Sequence, residues 1–74
     1  MITIYSTPTC PWCHKAKEYF DSKNIDYEDV DVSADSKRAQ EMIAKSGQMG
    51  VPVIDINGKV IVGFNEVAIE EALI

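Results

Sequence analysis

Cys10 and Cys13 stand three positions apart, with Pro11 and Trp12 between them. A pair at that spacing can hold a metal, attach haem, close a small disulfide or pass electrons by thiol–disulfide exchange. Exchange needs a thiolate to attack a sulfur and a second thiol to release the mixed disulfide so formed. Cys10 lies where a helix begins, and the unpaired amides and positive end of a helix favour an anion there. This makes Cys10 the nucleophile and Cys13, one turn further in and less exposed, the resolving thiol of a Cys10–Cys13 redox disulfide. Pro11 stiffens the turn, and Trp12 offers a flat apolar surface beside the sulfur. His14, Lys15 and Lys17 add positive charge nearby, although the helical projection turns Lys15 and Lys17 toward a solvated face.

The rival chemistries fit less well. Cys-x-x-Cys-His also matches haem attachment, with Met42 or Met49 as a second axial ligand. Such chains do not normally place the motif between a strand and a helix of a sheet. A structural zinc site wants four ligands, and two thiols with His14 supply three. A structural bond between Cys10 and Cys13 would close a tiny loop and remove little chain entropy. The expectation is therefore no metal and no tightly bound cofactor. One reading of another class stays open, a non-catalytic carrier holding a metal or iron–sulfur cluster between two chains through Cys10 and Cys13.

With 74 residues the chain has room for one domain, spanning residues 1–74, and none for a second core. Hydrophobic residues make up 46% and charged residues 26%, a balance that suits a soluble fold rather than a disordered tail. Seven Lys+Arg against twelve Asp+Glu give a net charge of -5, which offers no positive stripe for a phosphate backbone, so no nucleic acid is expected. Apolar runs such as Val60-Ile61-Val62 are too short to span a bilayer, so no membrane is expected. The Met1-Ile2-Thr3 start shows no basic region or long apolar stretch, hence no secretory signal and a cytoplasmic setting. Two cysteines in such a setting read as redox-active or metal-binding rather than as a staple.

The elements that position this pair follow from periodicity. Residues 1–5 alternate apolar and polar as a strand, ended by Pro8. From Pro11 to about Lys23 the pattern is helical, with Ala16, Tyr19 and Phe20 on an inner side that Cys13 and Trp12 continue, and Asn24 as a left-handed stop. Residues 25–32 read as a second strand, with a slip of phase between Ile25, Tyr27 and Val30, Val32 that means a bulge or a shorter strand. Ser33 or Asp35 caps a helix with Ala39, Met42, Ile43 and Ser46 on one face, and Gly47 stops it. Two apolar runs then flank Asn57-Gly58, a hairpin signal, because both turn residues tolerate positive φ. Gly63 and Asn65 open a last helix with Ile69, Ala72 and Leu73 facing inward. The order βαβαββα gives an α/β fold, a four-stranded mixed sheet with three helices.

Thr9 through Lys17, the Ser46-Gly47 turn, Val51-Pro52 and Val62-Gly63 together resemble a glutaredoxin of the thioredoxin fold superfamily, over almost the whole chain. The resemblance implies a thioredoxin-like fold with sheet order 2-1-3-4, and a cis peptide at Val51-Pro52 facing the thiols. Without it, Pro52 would read as a trans proline opening a strand, since only about 5–6% of such bonds are cis. A cis proline leaves the Val51 backbone free to pair with an extended peptide. The same resemblance points to Thr7, Gln48, Val51, Pro52, Gly63 and Asn65 as substrate- or glutathione-binding positions. Glutathione-dependent members carry a basic residue where this chain has Thr7, and a Gly-Gly pair followed by an aspartate where it has Gly63-Phe64-Asn65-Glu66. Those departures resemble the NrdH-type redoxins, electron donors to ribonucleotide reductase fed by thioredoxin reductase. The implied function is a monomeric dithiol oxidoreductase acting on protein disulfides or glutathione mixed disulfides. Its partners are disulfide-containing proteins, with glutathione (as co-substrate) or thioredoxin reductase as reductant.

Overall fold

Strand β1 (Ile2–Ser6) has all five residues buried, a pattern that requires cover on both faces of the sheet. The computed structural model describes residues 2–73 and supplies that cover. β1 lies between β2 (Glu28–Asp31) and β3 (Val53–Ile56), with β4 (Lys59–Val62) beyond, in the order β2-β1-β3-β4. β1 and β2 are parallel, joined by helix α1 (Pro11–Ser22); β1–β3 and β3–β4 are antiparallel. Helix α2 (Ser36–Ser46) links β2 to β3, and α3 (Glu66–Leu73) closes the chain. This is the thioredoxin-like sheet that the resemblance implied. Among the described residues, no helix is long and apolar enough to cross a membrane.

The period of two sorts β1 between two cores. Ile2 and Ile4 join Ala16 and Phe20 of α1, Ile54 and Ile56 of β3, Ile61 of β4 and Ile69 of α3. Tyr5 faces the other way, with Val30, Met42 and Val53, under α2. Thr3, in phase with Tyr5, and Ser6, in phase with Ile2 and Ile4, are also buried, so the alternation sorts β1 between two covered faces and not between inside and outside.

Local signals set the ends of elements. Asn24 has φ 56°, the left-handed stop after α1. Asp35, not Ser33, caps α2, its Oδ1 accepting from the amides of Lys37 (3.1 Å) and Arg38 (3.2 Å). Gly47 ends that helix at φ 74°. Asn57 and Gly58 both have positive φ, 52° and 95°, and form the hairpin turn. Four expectations are corrected. The second strand is confined to Glu28–Asp31, so the slip of phase marks a short strand preceded by a loop. β3 begins at Val53, because Pro52 has no amide for a ladder. Gly63 lies ahead of α3, which starts at Glu66 with the Asn65 Oδ1 accepting from the Ala68 amide at 3.2 Å. Ile43 is exposed, leaving Met42 as the buried residue of α2.

With so little apolar contact, α2 is held by a polar latch. The buried Tyr5 hydroxyl donates to Glu41 and accepts from Lys45 Nζ at 3.1 Å. Lys45 also pairs with Asp55 at 2.7 Å, and Arg38 bridges Glu41 (3.2 Å) to Glu28, with which it makes a two-pronged contact at 3.1 and 3.2 Å. Burial, followed by the Glu41 hydrogen bond, raises the Tyr5 hydroxyl above its ordinary value. The Tyr5 hydrogen bond holds Glu41 below the usual carboxylate range, the Arg38 guanidinium does so for Glu28, and Lys45 for Asp55.

Replacing Tyr5 by Phe removes one hydroxyl with two bonds and keeps the ring, and is expected to cost about 1–2 kcal/mol. A lower urea midpoint at unchanged slope is the expected reading. A midpoint equal to that of the parent protein would show that α2 needs no latch. Acidification is a second check. Carboxylates depressed on folding stabilise the fold above their ordinary values, 4.5 for Glu and 3.8 for Asp, and lose that contribution as pH falls through the folded values. The Tm is therefore expected to be flat above about pH 5 and to fall below it, modestly because these groups are largely solvated. A Tm unchanged on acidification to about pH 3 would remove the ion pairs from the account.

Candidate active site

β1 ends at Ser6, and the turn that follows carries the chain to the mouth of α1, where the Cys10 amide donates to the Thr7 carbonyl at 3.3 Å. Cys10 has the extended backbone of an N-cap, φ -92° and ψ 111°, and Pro11 occupies the first helical position, where a missing amide costs nothing. The usual cap oxygen is replaced by sulfur, with the Cys13 amide donating to Cys10 Sγ at 3.2 Å. The His14 Nε2 lies 3.0 Å from the Pro8 carbonyl and ties the helix back to the preceding turn.

Cys10 is partly exposed and Cys13 fully buried; both thiols are free. Burial above all, and then the neighbouring Cys10 sulfur, push the Cys13 thiol up to about 12, against opposing pulls from the Thr7 backbone and the positive charge of Lys17. Two sulfurs in contact thus have different surroundings, one at the surface under an amide and one enclosed.

The opposite wall comes from the loop before β3. The Val51-Pro52 peptide is cis, and the Val51 carbonyl lies 3.9 Å from Cys10 Sγ. The Pro52 carbonyl accepts from the Gly63 amide at 2.8 Å, which fixes β4's exit beside it. Gly63 adopts φ 81°, a left-handed value that suits a residue without Cβ. Between Trp12, Val51, Pro52, Gly63 and Phe64 lies a shallow cleft of about 250 Å³. Trp12 is 56% exposed, with its ring centroid 6.5 Å from Phe64 and Lys15 Nζ 4.9 Å above it. Phe64 is half-buried and also packs edge-on against Tyr19 at 5.8 Å, so it is both core and cleft wall.

The structure therefore gathers Cys10, Cys13, Pro11, Trp12, Val51, Pro52 and Gly63, with Thr7 beneath through its backbone. It does not bring in the side chains of Gln48 or Asn65. Gln48 bonds within its own loop to Gly50, and Asn65 caps α3. Two helix positions are corrected. Trp12 does not continue the buried side of α1: it is exposed, and the neighbouring Cys13 alone carries that side into the first turn. Lys17 is not a freely solvated side chain, since it pairs at 2.9 Å with Asp29, which also accepts from Ser6 Oγ at 3.0 Å. That chain beneath the buried thiol joins α1 to β2 and β1, and only the parallel register of the strands could have revealed it. Among the described residues, no group of three or more His, Cys, Asp or Glu is placed to hold a metal ion.

Comparison with known proteins agrees with this geometry. The glutaredoxin family pattern matches residues 2–61. The chain is 59% identical over 73 residues, 99% of its length and 97% of the relative's, to a glutaredoxin-like 8.6 kDa protein of the rubredoxin operon of Clostridium pasteurianum. It is 34% identical over 65 residues to glutaredoxin 3 of Escherichia coli, covering 88% of this chain and 78% of that one. Among solved structures it is similar to the glutaredoxin-like NrdH-redoxin of Escherichia coli, with TM-score 0.82 and 26% identity over 93% of this chain and 91% of that one.

The contrast between the thiols predicts one-site alkylation. Reduced protein treated with iodoacetamide at about pH 8 is expected to gain a single adduct, on Cys10, with Cys13 modified only after unfolding. Equal labelling of both cysteines in the folded protein, read by mass spectrometry of the peptides, would contradict the enclosed environment of Cys13.

Proposed function

The chain belongs to the glutaredoxin family, a family of thiol–disulfide redox proteins, and from that premise we propose that it is a cytoplasmic dithiol oxidoreductase that reduces protein disulfides through Cys10 and Cys13. The observation that carries this reading is the pairing of a surface Cys10 sulfur with an enclosed Cys13 whose amide caps it, beside an apolar cleft whose Val51 carbonyl lies 3.9 Å from that sulfur.

In the proposed reaction, the Cys10 thiolate attacks one sulfur of the substrate disulfide, and the other sulfur leaves as a thiolate and takes up a proton. Cys13 then gives up its proton and attacks the Cys10 sulfur of the mixed disulfide, expelling the second substrate thiol. The substrate gains two electrons and two protons, and the enzyme is left with a Cys10–Cys13 disulfide to be reduced by an external thiol. Trp12, Val51, Pro52 and Phe64 hold the apolar flanks of the substrate, with the Val51 backbone presented to an extended segment. No resident cofactor has a part in this scheme, and a single chain holds every group in it, so we propose a monomer.

A second reading concerns the electron source. Glutathione carries two carboxylates and an ammonium group, and a site for it needs charges of opposite sign. Thr7 is uncharged, while the Gln48 amide and the Asn65 carbonyl are occupied by their own backbone. Lys15 is the cation that borders the cleft at Trp12. These features, and the likeness to an NrdH-redoxin with an activity profile described as thioredoxin-like, favour thioredoxin reductase over glutathione as the reductant.

Cys10→Ser is expected to abolish disulfide reduction, whereas Cys13→Ser should spare at most a one-thiol reaction with glutathione mixed disulfides. Retained reductase activity in Cys10→Ser would refute the mechanism. Assayed side by side, NADPH with thioredoxin reductase should drive turnover faster than NADPH with glutathione and glutathione reductase; the reverse order would favour a glutathione site.

A further inference from the structure

The loop between α2 and β3 carries a device that the cleft geometry leaves unexplained. The Gln48 side chain folds back over Gly50 and engages both of its backbone groups. Its Oε1 accepts from the Gly50 amide at 2.6 Å, and its Nε2 donates to the Gly50 carbonyl at 3.0 Å. The loop is tied further back, since the single proton of the Ser46 hydroxyl is shared between the carbonyls of Met42 (2.8 Å) and Gln48 (3.0 Å). The next residue is Val51, whose carbonyl faces Cys10 Sγ at 3.9 Å. Met49, 78% exposed, contributes no packing that would hold this stretch.

Gly50 is explained by the same contact. A Cβ there would lie 2.7 Å from Gln48 Oε1, and its other two near neighbours are also atoms of the Gln48 side chain. The residue lacks a side chain because the Gln48 amide fills that space. Any residue with a Cβ at position 50 would displace the amide while leaving the core untouched.

We propose that Gln48 is a positioning residue, whose amide clamps Gly50 and thereby holds the Val51 carbonyl against Cys10 and in register for the substrate backbone. Its part in glutathione binding, implied by the family resemblance, is replaced by this role. The proposal rests on the cleft being the substrate site. A clamp of two hydrogen bonds on a solvated loop should matter more for docking than for global stability.

The test is a cycle of Gln48→Ala, Gly50→Ala and the double variant, with Gln48→Glu as the conservative change that keeps the acceptor for the Gly50 amide and loses the donor. Three quantities are read: hydrogen exchange of the Gly50 amide, KM and kcat for insulin disulfide reduction, and the Tm. Gln48→Ala is expected to speed Gly50 exchange and to raise KM roughly three- to tenfold, the range that one hydrogen bond commands, at nearly constant kcat and Tm. Gly50→Ala should raise KM similarly in the parent background and have little further effect beside Gln48→Ala, because the clash is then gone. Gln48→Glu should fall between the parent and Gln48→Ala. Additive losses in the cycle, or a Gly50 amide that exchanges equally fast with and without Gln48, would overturn the proposal. So would a raised KM for a glutathione mixed disulfide with none for insulin, which would return Gln48 to ligand binding. A parent protein that reduces neither substrate would sink the oxidoreductase reading, while Gly50 exchange would still decide whether the clamp exists.

Discussion

The structure turns on a helix cap made of sulfur. At the start of α1 the amide that most helices satisfy with a serine, threonine or aspartate oxygen is directed instead at Cys10 Sγ. That choice sets the reach of the site. The cap residue sits beyond β1, at the far end of the turn that follows Ser6, and its sulfur is left partly exposed there. The residue donating to it is then one turn inside, where the inner face of α1 meets the core, so Cys13 is enclosed by the same geometry that exposes Cys10. The asymmetry between two identical side chains therefore follows from helix periodicity and from which face is buried.

The remaining fold keeps this cap and the opposing loop in a fixed relation, and the two faces of the sheet do so by different means. On one, α1 and α3 are fastened by isoleucines and Phe20. Apolar contact of this kind is non-directional, and suits helices that have only to stay docked. On the other, α2 contributes Met42 and a run of charged groups around the Tyr5 hydroxyl. Hydrogen bonds are directional, so this latch fixes the rotation of α2 about its own axis as well as its distance from the sheet. The end of α2 leads directly into the loop of Gln48, Gly50 and Val51, so orientation there is what the site requires.

How much of this was legible in the sequence depends on the range of the interaction. Caps and turns were read correctly at Asn24, Gly47 and Asn57-Gly58, because their signals are local and each rests on one or two backbone angles. The cysteine pair was legible for the same reason, since one helical turn brings its members together. The cis peptide at Val51-Pro52 and the 2-1-3-4 order came only through resemblance, as no periodicity encodes either. Reading Trp12 as buried was an error of the helical wheel, which knows the side of a helix but not where its partner surface ends. The Lys17–Asp29–Ser6 chain and the Tyr5 latch were invisible, because they join residues from separate elements whose juxtaposition depends on strand register. Gln48 was assigned by position in a family pattern, whereas its hydrogen bonds go two residues along its own chain.

The causes acting on Cys13 bear on the order of events in the proposed reaction. A thiol held near 12 is a poor nucleophile at neutral pH, which protects the resting protein from attack at the inner sulfur but would also stall the second step. Burial does not change during turnover, but the second cause, the neighbouring Cys10 sulfur, does. Once the Cys10 sulfur is bonded to substrate, neither its hydrogen bond nor its charge opposes ionisation of Cys13. The Thr7 backbone and Lys17, which favour the thiolate throughout, then act against burial alone. Lys17 can serve in this way because Asp29 holds it half-buried at the base of the site instead of leaving it free in solvent. Formation of the mixed disulfide thus removes the Cys10 part of what opposes ionisation of the resolving thiol and leaves burial, the larger cause, in place.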